Sequence, residues 1–446
     1  MINYENKRHL IKILEGLIEI ILLALAYYFI WTKMYRPVMG ENVFMFRGKF
    51  ILMGIYALVV FVIFHLCDSF NFGNLKLTYI VISQIISMIM VNFITYFQIC
   101  LIANRMMTAV PMFILTAIDM LIIVICCYIY TRIYHHSYVK RDLLLIYGSE
   151  NALNLSDKFN SRKDKYEITK ELKAKEPFDS LINEINKHDV TVLNDVPAEK
   201  RTKLVKYCFE NNRRVYIVPS ISDVILKGGE DLTLFDTPLV LVDGYGVTPE
   251  GAFAKRTLDL ILGMIMFIPC SLIMLIVAIC IKLDDGGSVF YKQTRLTKDN
   301  KEFKMFKFRS MIENAEKTTG AVMAEEDDPR ITKIGRFLRK YRLDELPQIL
   351  NILQGEMSIV GPRPERPELV EDIIKAMPEF GYRTKVKAGL TGYAQVYGKY
   401  NTTSYDKLKM DLMYIEKQSV LLDLKLILMT PQIMFRKDST EGVKRN

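Results

Sequence analysis

The sequence predicts a membrane protein of three parts: a transmembrane α-helical bundle, a Rossmann-like α/β domain and a C-terminal α+β domain. Half of the 446 residues are hydrophobic, which is more than a soluble protein of this length usually carries. Long apolar runs occupy the N-terminal part of the chain, and short apolar runs alternate with polar stretches after them. Long runs are typical of membrane helices, whereas the alternation is typical of a parallel sheet with flanking helices.

Four early runs are long enough to cross a bilayer, which takes roughly 20 apolar residues in a helix. They are Ile13–Trp31, Phe50–Leu66, Tyr79–Ile102 and Val110–Ile129. Residues 1–139 are therefore predicted to form a four-helix transmembrane bundle. No short apolar run ends in a small-residue cleavage site, so we expect the first helix to be retained as a membrane anchor.

The net charge of +9 is explained more simply by basic loops that face the cytoplasm than by a nucleic-acid partner, and we expect none. Cations before the first helix and after the fourth favour a bundle with both ends inside. These cations are Lys7, Arg8, Lys12, Arg132, Lys140 and Arg141. Arg36, Arg47 and Lys49 in the first loop weaken that orientation.

The cysteines indicate neither a disulfide framework nor a zinc site. None of them forms a CxxC pair, and five of the seven lie in or beside apolar runs: Cys67, Cys100, Cys126, Cys127 and Cys270.

Asp119 lies within the fourth run, where an ionisable group is expensive and marks a functional site by default. The alternative is a structural residue that is hydrogen bonded to Gln84, Ser87 or Asn92 across the bundle. The structural role is favoured, because a lone acid without a second charge makes no relay.

Residues 140–250 are predicted to form the Rossmann-like domain. Its strands are expected at Leu143–Tyr147, Val190–Leu193, Val215–Val218 and Leu239–Val242. A dinucleotide-binding domain would carry GxGxxG after the first strand, but the sequence there reads GSENALNL. Only Gly148 remains, and Glu150 would repel phosphate at a helix N-terminus. We therefore expect no bound dinucleotide, and Val247–Gly251 is interpreted as a linker.

Residues 251–446 are predicted to form the C-terminal domain, which opens with a fifth apolar run, Leu258–Ile281, interrupted by Pro269. Transmembrane helices tolerate proline, so a kinked spanning helix is favoured on local grounds. The alternative is a helix that bends at Pro269 and returns to the face it left. The basic residues at the two ends of the run fit both.

Two short strands are predicted after this run, at Ser288–Gln293 and Phe303–Arg309. The second lies in FKMFKFRSM, where phenylalanines separate Lys304, Lys307 and Arg309. Cations and aromatic rings in this pattern occur in single-strand nucleic-acid binders, but a solvated strand face explains them more simply.

Asp344 and Glu345 stand side by side in YRLDELPQILN, after a run of cations that includes Arg339. An ordinary helix start is the local interpretation, because Asp is a good N-cap and Glu and Pro suit a first turn. The cations favour a reaction centre instead, since GPRP would hold the phosphate-matching guanidinium of Arg363 in a stiff turn. A carboxylate beside a second one fits attack on phosphorus, with the second holding magnesium.

Five segments of the C-terminal domain follow one another as KRTLDLILGMIMFIP, SVFYKQTRL, FKMFKFRSM, DDPRITKIGRFLRKYRLDELPQILNILQGEMSIVGPRP and AGLTGYAQVYGK. In this order they resemble the bacterial sugar transferases that begin surface polysaccharides, the monotopic polyprenyl-phosphate phosphoglycosyl transferases. The resemblance covers about Lys255–Phe435. The preceding bundle and Rossmann-like domain are similar in architecture to those of the large members.

The resemblance implies that a phosphosugar passes from a UDP-sugar to undecaprenyl phosphate, with release of UMP, through an aspartyl-phosphosugar intermediate. It implies that Asp344 is the nucleophile and that Glu345 is a ligand of a Mg²⁺ cofactor. The cations that match those placed around phosphates in the family are Lys307, Arg309, Arg339 and Arg363. The product would initiate an exopolysaccharide, a capsule or an O-antigen.

The resemblance also implies that helix 258–281 is re-entrant and breaks at Pro269, which reverses the local preference. The catalytic domain would then lie at the cytoplasmic face of the bacterial inner membrane. Ile268 stands where many members have serine, so the proline alone must break the helix. Glycines usual in the family near Thr297 and Asn300 are missing, so we expect a less tight turn there.

Two other functions fit parts of the sequence. A catalytically silent membrane scaffold or regulator of polysaccharide assembly would keep the fold, but the intact Asp344-Glu345 pair and the GPRP motif argue against it. A module that binds nucleic acid or anionic lipid is motivated by the charge alone. The sequence does not select the sugar, for which glucose and galactose are the usual choices of large members, and the bundle is compatible with a homodimer.

Overall fold

The computed structural model describes residues 2–40, 47–72, 77–137, 140–150, 154–160, 162, 165–242, 244, 248–312, 328–399 and 402–434. The chain forms two compact units, of which the smaller is Arg132–Lys227 and the larger combines Met1–Thr131 with Gly228–Asn446. The apolar bundle and the C-terminal domain therefore belong to one unit. Val247, Asp327 and Phe435, which the sequence interpretation used, lie outside the described residues.

Four long helices form the bundle, and they match the predicted apolar runs, of which the first ends one residue beyond its helix. They are Ile2–Ile30, Gly48–Leu66, Leu77–Ala103 and Val110–Ser137. The first continues through a π-helical turn, Trp31–Tyr35, into the short helix Arg36–Met39. All four are long and apolar enough to cross a membrane. Inside the bundle the rings of Tyr27 and Tyr56 stack with their centroids 4.3 Å apart, while many outward leucines and isoleucines are exposed, as a lipid-facing surface requires.

The bundle interior contains more acid than the sequence interpretation allowed. Asp119 accepts hydrogen bonds from Asn92 Nδ2 at 2.8 Å and from Tyr56 Oη at 3.3 Å, which confirms Asn92 as a partner. Gln84 instead donates to Glu19 Oε2 at 3.0 Å, and Glu19 is fully buried. The description of Asp119 as a lone acid is therefore wrong, because the carboxyl group of Glu19 is also buried inside the bundle.

The smaller unit contains a parallel sheet in the order β2-β1-β3-β4, with every neighbouring pair parallel. Its strands are β1 (Arg141–Tyr147), β2 (Tyr166–Lys173), β3 (Val190–Asn194) and β4 (Arg214–Ile217). Helices Asn154–Asn160, Phe178–Lys187 and Ala198–Glu210 alternate with the strands, and Ile221–Gly228 follows them. The α/β prediction with a parallel sheet is confirmed.

One strand prediction in this region is wrong, and one strand was not predicted. Leu239–Val242 does not join the parallel sheet, because β6 (Thr237–Leu241) pairs antiparallel with β5 (Glu230–Leu234) in a separate hairpin. The edge strand β2 was not predicted from the sequence. Most of its residues are exposed or half-buried, so its sequence, YEITKELK, carries little apolar signal.

Gly148 is explained by packing rather than by phosphate binding. Its N–H donates to the carbonyl of Asn194 at 3.0 Å, and a Cβ added here would lie 1.8 Å from the carbonyl oxygen of Asp195. Only glycine fits such a close backbone approach. Glu150 forms an exposed ion pair with Lys173 at 3.0 Å. The absence of dinucleotide binding stays a prediction.

The helix that carries the fifth apolar run, α10 (Pro249–Asp285), is longer than predicted and remains helical through Pro269. Thr248 caps its N-terminus by accepting from the N–H of Gly251 at 3.2 Å, and Pro249 occupies the first helical position. The interpretation of Val247–Gly251 as a linker is therefore wrong from Thr248 onward, since threonine followed by proline here starts a helix. Any change of direction at Pro269 is a bend within one helix.

The C-terminal domain begins with the antiparallel strands β7 (Phe290–Leu296) and β8 (Glu302–Phe308). Asp299 and Asn300 in their connecting turn have φ of 58° and 56°, so two side chains that tolerate the left-handed region stand where glycine would be usual. The short parallel strands β9 (Ser358–Val360) and β10 (Gly389–Thr391) follow. The helices around them are Lys333–Lys340, Gln348–Gln354, Pro367–Ala376, Tyr393–Tyr397, Ser404–Glu416 and Val420–Met434.

Candidate active site

Asp344 and Glu345 lie in the 3₁₀ turn Leu343–Glu345, directly after Arg342, whose φ is 53°. The next helix begins only at Gln348, with Pro347 at its N-cap position. Asp344 therefore does not cap a helix, and the ordinary helix start that the local sequence suggested is not what the chain forms here. The turn instead places both carboxyl groups beside strand β8.

Three cations surround the carboxylate of Glu345, whose side chain is 13% exposed. Arg363 Nη2 lies 2.9 Å and Lys307 Nζ 3.5 Å from Oε1, and Arg342 Nη1 lies 3.9 Å from Oε2. Burial raises the pKa of Glu345, but Arg363, Lys307 and Arg342 outweigh it, so this pKa lies well below its usual range. Glu345 is therefore held as a carboxylate.

Asp344 is also buried, at 9% exposure, but its electrostatic environment differs from that of its neighbour. Burial and then the charge of Glu345 raise the pKa of Asp344, while Lys307, Arg339 and Arg363 oppose them. The two adjacent carboxyl groups thus have pKa values shifted in opposite directions. Such separation is typical of sites where two acids perform different tasks.

Lys307 reaches the carboxylates from β8, and a buried amide fixes that strand. The side chain of Asn351 accepts from the N–H of Phe306 at 2.9 Å and donates to the carbonyl of Lys304 at 2.9 Å. Asn351 itself is fully buried. It holds β8 against helix Gln348–Gln354, and so sets the distance between Lys307 and Glu345. Burial lowers the pKa of Lys307, and Glu345 opposes that shift.

The GPRP segment forms a turn pinned to β10 on both sides. The N–H of Gly361 donates to the carbonyl of Thr391 at 2.8 Å, and the N–H of Gly389 donates to the carbonyl of Pro362 at 2.9 Å. A Cβ on Gly361 would lie 2.3 Å from the carbonyl oxygen of Lys387, so the turn requires glycine there. The stiffness expected of this segment therefore comes from strand contacts as well as from its prolines.

Two arginines, of which Arg295 is half-buried and Arg383 is buried, hold the carbonyl groups of the same turn. Arg295 Nη1 donates to the carbonyl of Pro364 at 3.2 Å, and Arg383 Nη2 donates to the carbonyl of Arg363 at 3.1 Å. Arg383 is fixed in turn by Asp411, which accepts from its Nε at 2.6 Å. Sequence reasoning missed Arg295, Arg383, Asp411 and Asn351. No local pattern marks them, because each acts through a partner distant in sequence.

The structure brings together four of the predicted site residues, Asp344, Glu345, Lys307 and Arg363. Arg339 is close enough to influence Asp344 electrostatically, and its Nε donates to Ser310 Oγ at 3.0 Å. Arg309 is buried against Gly287, where an added Cβ would lie 1.7 Å from Nη1 of the guanidinium. The roles of these residues remain predictions.

A magnesium site at Glu345 is chemically reasonable on these contacts. Within the described residues, no three His, Cys, Asp or Glu side chains are grouped closely enough to hold a metal by themselves. Mg²⁺ commonly takes one or two carboxylates and completes its shell with water and substrate phosphate. Glu345 Oε2 lies 3.9 Å from Arg342 Nη1, beyond hydrogen-bond distance, and could accept such a bond. The donor set therefore fits the ion.

Comparisons with known proteins now identify the C-terminal part of the chain. The family model described as bacterial sugar transferase matches residues 250–437. The exopolysaccharide production protein ExoY of Sinorhizobium fredii is 37% identical over 201 residues, which are 41% of this chain and 86% of that protein. The chain belongs to the bacterial sugar transferase family. Its four-helix bundle is accordingly additional to the part that the family model matches.

Two further relatives of this sugar transferase carry more specific names. UDP-N-acetylgalactosamine-undecaprenyl-phosphate N-acetylgalactosaminephosphotransferase of Aeromonas hydrophila is 39% identical over 41% of this chain and 44% of its own length. UDP-glucose:undecaprenyl-phosphate glucose-1-phosphate transferase of Escherichia coli K12 is 38% identical over 46% of this chain and 43% of its own length. The matches thus span less than half of these two relatives, and the names differ in the sugar.

Proposed function

We propose that this sugar transferase moves a sugar-1-phosphate from a UDP-sugar to undecaprenyl phosphate and so initiates an exopolysaccharide, capsule or O-antigen. The main support for the proposal is the adjacent pair of Asp344 and Glu345. Cations surround the two carboxyl groups, and their pKa values are shifted in opposite directions. The names of the relatives support the same reaction class. A catalytically silent scaffold would have no need for this arrangement.

The proposed chemistry has two displacements at one phosphorus atom. A carboxylate oxygen of Asp344 attacks the phosphorus that carries the sugar, the bond from that phosphorus to the bridging oxygen breaks, and UMP leaves. An oxygen of undecaprenyl phosphate then attacks the same phosphorus and expels Asp344 as a carboxylate. The product is undecaprenyl diphospho-sugar, so atoms and charges balance over the cycle.

The neighbouring residues would make Asp344 reactive and stabilise the transferred charge. Lys307, Arg339 and Arg363 favour the ionised form of Asp344 against burial, and their charges complement the phosphate oxygens. Glu345 holds Arg363 and Lys307 near this position through ion pairs of 2.9 and 3.5 Å. A Mg²⁺ bound through Glu345 would neutralise the diphosphate of the donor.

We further propose that α10 is re-entrant, which puts the catalytic domain at the cytoplasmic face of the inner membrane. Both ends of the helix contact the same domain. Near its start, Asp259 Oδ1 accepts from Ser358 Oγ at 3.0 Å, and near its end Ile281 packs with Phe308 and Leu338. A straight helix between Asp259 and Ile281 would be about 33 Å long, which is a full bilayer core.

The bundle supports the same topology. Asp68, in the turn after the second long helix, contacts Lys425 of the C-terminal domain at 2.9 Å. In the same turn Phe72 packs on Tyr130, with ring centroids 4.5 Å apart, near the end of the fourth long helix. The C-terminal domain therefore meets the end of the bundle from which the chain leaves it. If α10 spanned the membrane, the C-terminal domain would instead lie at the other end of the bundle.

Cysteine labelling in intact cells tests this topology. We expect Lys140→Cys and Lys375→Cys, each at an exposed position, to be protected from an impermeant maleimide until the membrane is opened. Parent protein without the new cysteine corrects for the seven natural thiols. Labelling of position 375 alone from outside would show that α10 spans the membrane.

A trapped intermediate tests the reaction itself. The wild-type protein is incubated with UDP-sugar that is radiolabelled in the sugar, without polyprenyl phosphate, then quenched in acid and mapped by peptide. We expect the label on the peptide that contains Asp344, and we expect undecaprenyl phosphate or hydroxylamine to discharge it. Turnover without any labelled peptide, or label on another residue, would contradict the proposed mechanism.

A further inference from the structure

Asp68 joins the membrane bundle to the C-terminal domain through both oxygens of its carboxylate. Oδ1 accepts from Lys425 Nζ at 2.9 Å, and Oδ2 accepts from the hydroxyl of Tyr397 at 2.8 Å. The two donors lie on different helices, Val420–Met434 and Tyr393–Tyr397. A carboxylate held by two donors from two helices fixes their orientation more strongly than one contact would.

The turn around Asp68 is anchored inside the bundle. Asp68 has a φ of 52°, and the next residue, Ser69, is fully buried. The hydroxyl of Ser69 lies 2.8 Å from that of Ser83 and 3.1 Å from that of Ser87, both on the third long helix. Movement of Asp68 therefore requires loss of buried hydrogen bonds, and the turn acts as a rigid part of the bundle.

Helix Val420–Met434 extends this connection to the candidate active site. Its Asp423 accepts from Lys255 Nζ of α10 at 2.7 Å, and the hydroxyl of its Thr430 lies 2.7 Å from that of Thr391. The carbonyl of Thr391 accepts from the N–H of Gly361 at 2.8 Å, where the GPRP turn begins. A continuous series of contacts thus runs from the bundle to the segment that presents Arg363.

We propose that Asp68 is a positioning residue through which the bundle sets the placement of the active site for its lipid-borne acceptor. The proposal rests on the proposed function and assigns a task to the bundle within it. The side chains of Asp68 and Lys425 are 24% and 28% exposed, so water screens their ion pair only in part. The pair acts by fixing the position of the active site, and small misplacements of reacting groups lower the reaction rate.

The placement matters for one substrate more than for the other. The acceptor phosphate is attached to a lipid, so its depth relative to the bundle is fixed by the bilayer. The nucleotide-sugar arrives from water and adapts to the domain. Loss of the Asp68 contacts therefore impairs the second displacement and leaves the first, in which Asp344 takes up the phosphosugar, nearly unchanged.

Full-length Asp68→Asn and Lys425→Met in lipid nanodiscs test the inference. Asparagine tolerates a positive φ, so Asp68→Asn removes charge without disturbing the turn. We expect the KM for undecaprenyl phosphate to rise about tenfold, and labelling of Asp344 by the UDP-sugar to stay within about twofold. The double variant is expected to be no worse than Asp68→Asn alone, because the ion pair that Lys425→Met removes is already lost in that variant.

Hydrogen exchange of the same samples gives a readout independent of activity. Peptides from Val420–Met434 should exchange faster in both variants, and peptides from β3 should not change. Glu199→Gln, which removes the exposed 2.7 Å pair with Lys203 in the smaller unit, is the matched control and should alter neither measurement. Unchanged exchange and unchanged acceptor KM in Asp68→Asn would overturn the positioning role. If the wild-type protein acquired no label on Asp344, the proposed reaction would be overturned. Hydrogen exchange would still show whether the contacts of Asp68 hold helix Val420–Met434.

Discussion

The bundle and the C-terminal domain both bury carboxyl groups, but they surround them with different partners. In the bundle Asp119 is held by the amide of Asn92 and the hydroxyl of Tyr56, both neutral. In the C-terminal domain Glu345 has Arg363 and Lys307 within 3.5 Å. Burial alone therefore does not distinguish a reactive acid from a structural one.

The difference lies in which protonation state the partners stabilise. Neutral hydrogen-bonding groups are compatible with a carboxyl group that keeps its proton, whereas cations stabilise the carboxylate. Attack on phosphorus requires a carboxylate, and a phosphate substrate requires cations. At Asp344, Lys307, Arg339 and Arg363 favour the carboxylate against burial and can complement a phosphate, whereas the hydrogen-bond partners described for Asp119 are neutral. Variants that exchange or remove these carboxyl groups test this contrast.

The largest effect is expected from Asp344→Asn, because an amide cannot form the acyl phosphate. We expect turnover to fall about 10³-fold or more while folding and membrane insertion are preserved. UMP release from the UDP-sugar in membranes with undecaprenyl phosphate measures the loss. Mass spectrometry must exclude deamidation back to aspartate. Full activity of a verified Asp344→Asn protein would show that this carboxyl group is no more reactive than those of the bundle.

A smaller loss, about 10²-fold, is expected from Glu345→Gln, because the amide no longer fixes Arg363 and Lys307 and binds Mg²⁺ weakly. Excess Mg²⁺ should restore part of this activity, and it should restore none to Asp344→Asn. A titration of both variants with the metal separates the two roles. Equal rescue, or rescue of neither, would count against Glu345 as a metal ligand.

The next smaller effect is expected away from the reacting groups, at the buried pair of Arg383 and Asp411. Their side chains are 6% and 2% exposed, and Glu365 Oε1 lies 3.7 Å from Arg383 Nη1. Asp411→Asn therefore removes the nearer of two charge partners from a buried guanidinium, and we expect a loss of roughly 3 kcal/mol in stability. Because Arg383 also holds the carbonyl of Arg363, activity should fall about tenfold. Thermal unfolding and the KM for the UDP-sugar measure the two effects. A change in stability with unchanged KM would restrict Asp411 to a structural role.

Local sequence patterns predicted the elements whose signal is local. The four apolar runs and the buried strands β1 and β3 are continuous stretches that show their environment directly. Strand β4 was also predicted from its apolar residues, although most of it is exposed in the structure. The adjacent acids among cations identified the candidate site for the same reason. The exposed edge strand β2 and the start of α10 were missed or misread, since one lacks apolar residues and the other begins with turn-like residues.

Residues that act through distant partners were not predictable in this way. Arg383 and Asp411 are 28 residues apart, and Asp68 is 357 residues from Lys425. Nothing in the local sequence of either acid reveals that a cation faces it. The same applies to Glu19, whose partner Gln84 lies on another helix. Fold contacts, rather than composition, decide which charged residues are paired.

The smallest effect is expected from Asp119→Asn in the bundle, and it is the sharpest test of the comparison. Asparagine keeps one carbonyl oxygen that can accept from Asn92 and Tyr56, so it preserves the shape of the side chain and both hydrogen bonds. We expect activity within about twofold of wild type and a change in stability below about 1 kcal/mol. Asp119→Leu is the matched control, because it removes an acceptor shared by two buried donors. Tyr56 then keeps only its contact with Asn92, and Asn92 Nδ2 keeps only its contact with Thr116. We expect a cost of about 1–3 kcal/mol. Transfer assays and thermal unfolding of both variants in nanodiscs distinguish the outcomes. If Asp119→Asn folds normally but loses transfer, the carboxyl group in the bundle is functional, and neutral partners do not identify a structural acid in this protein.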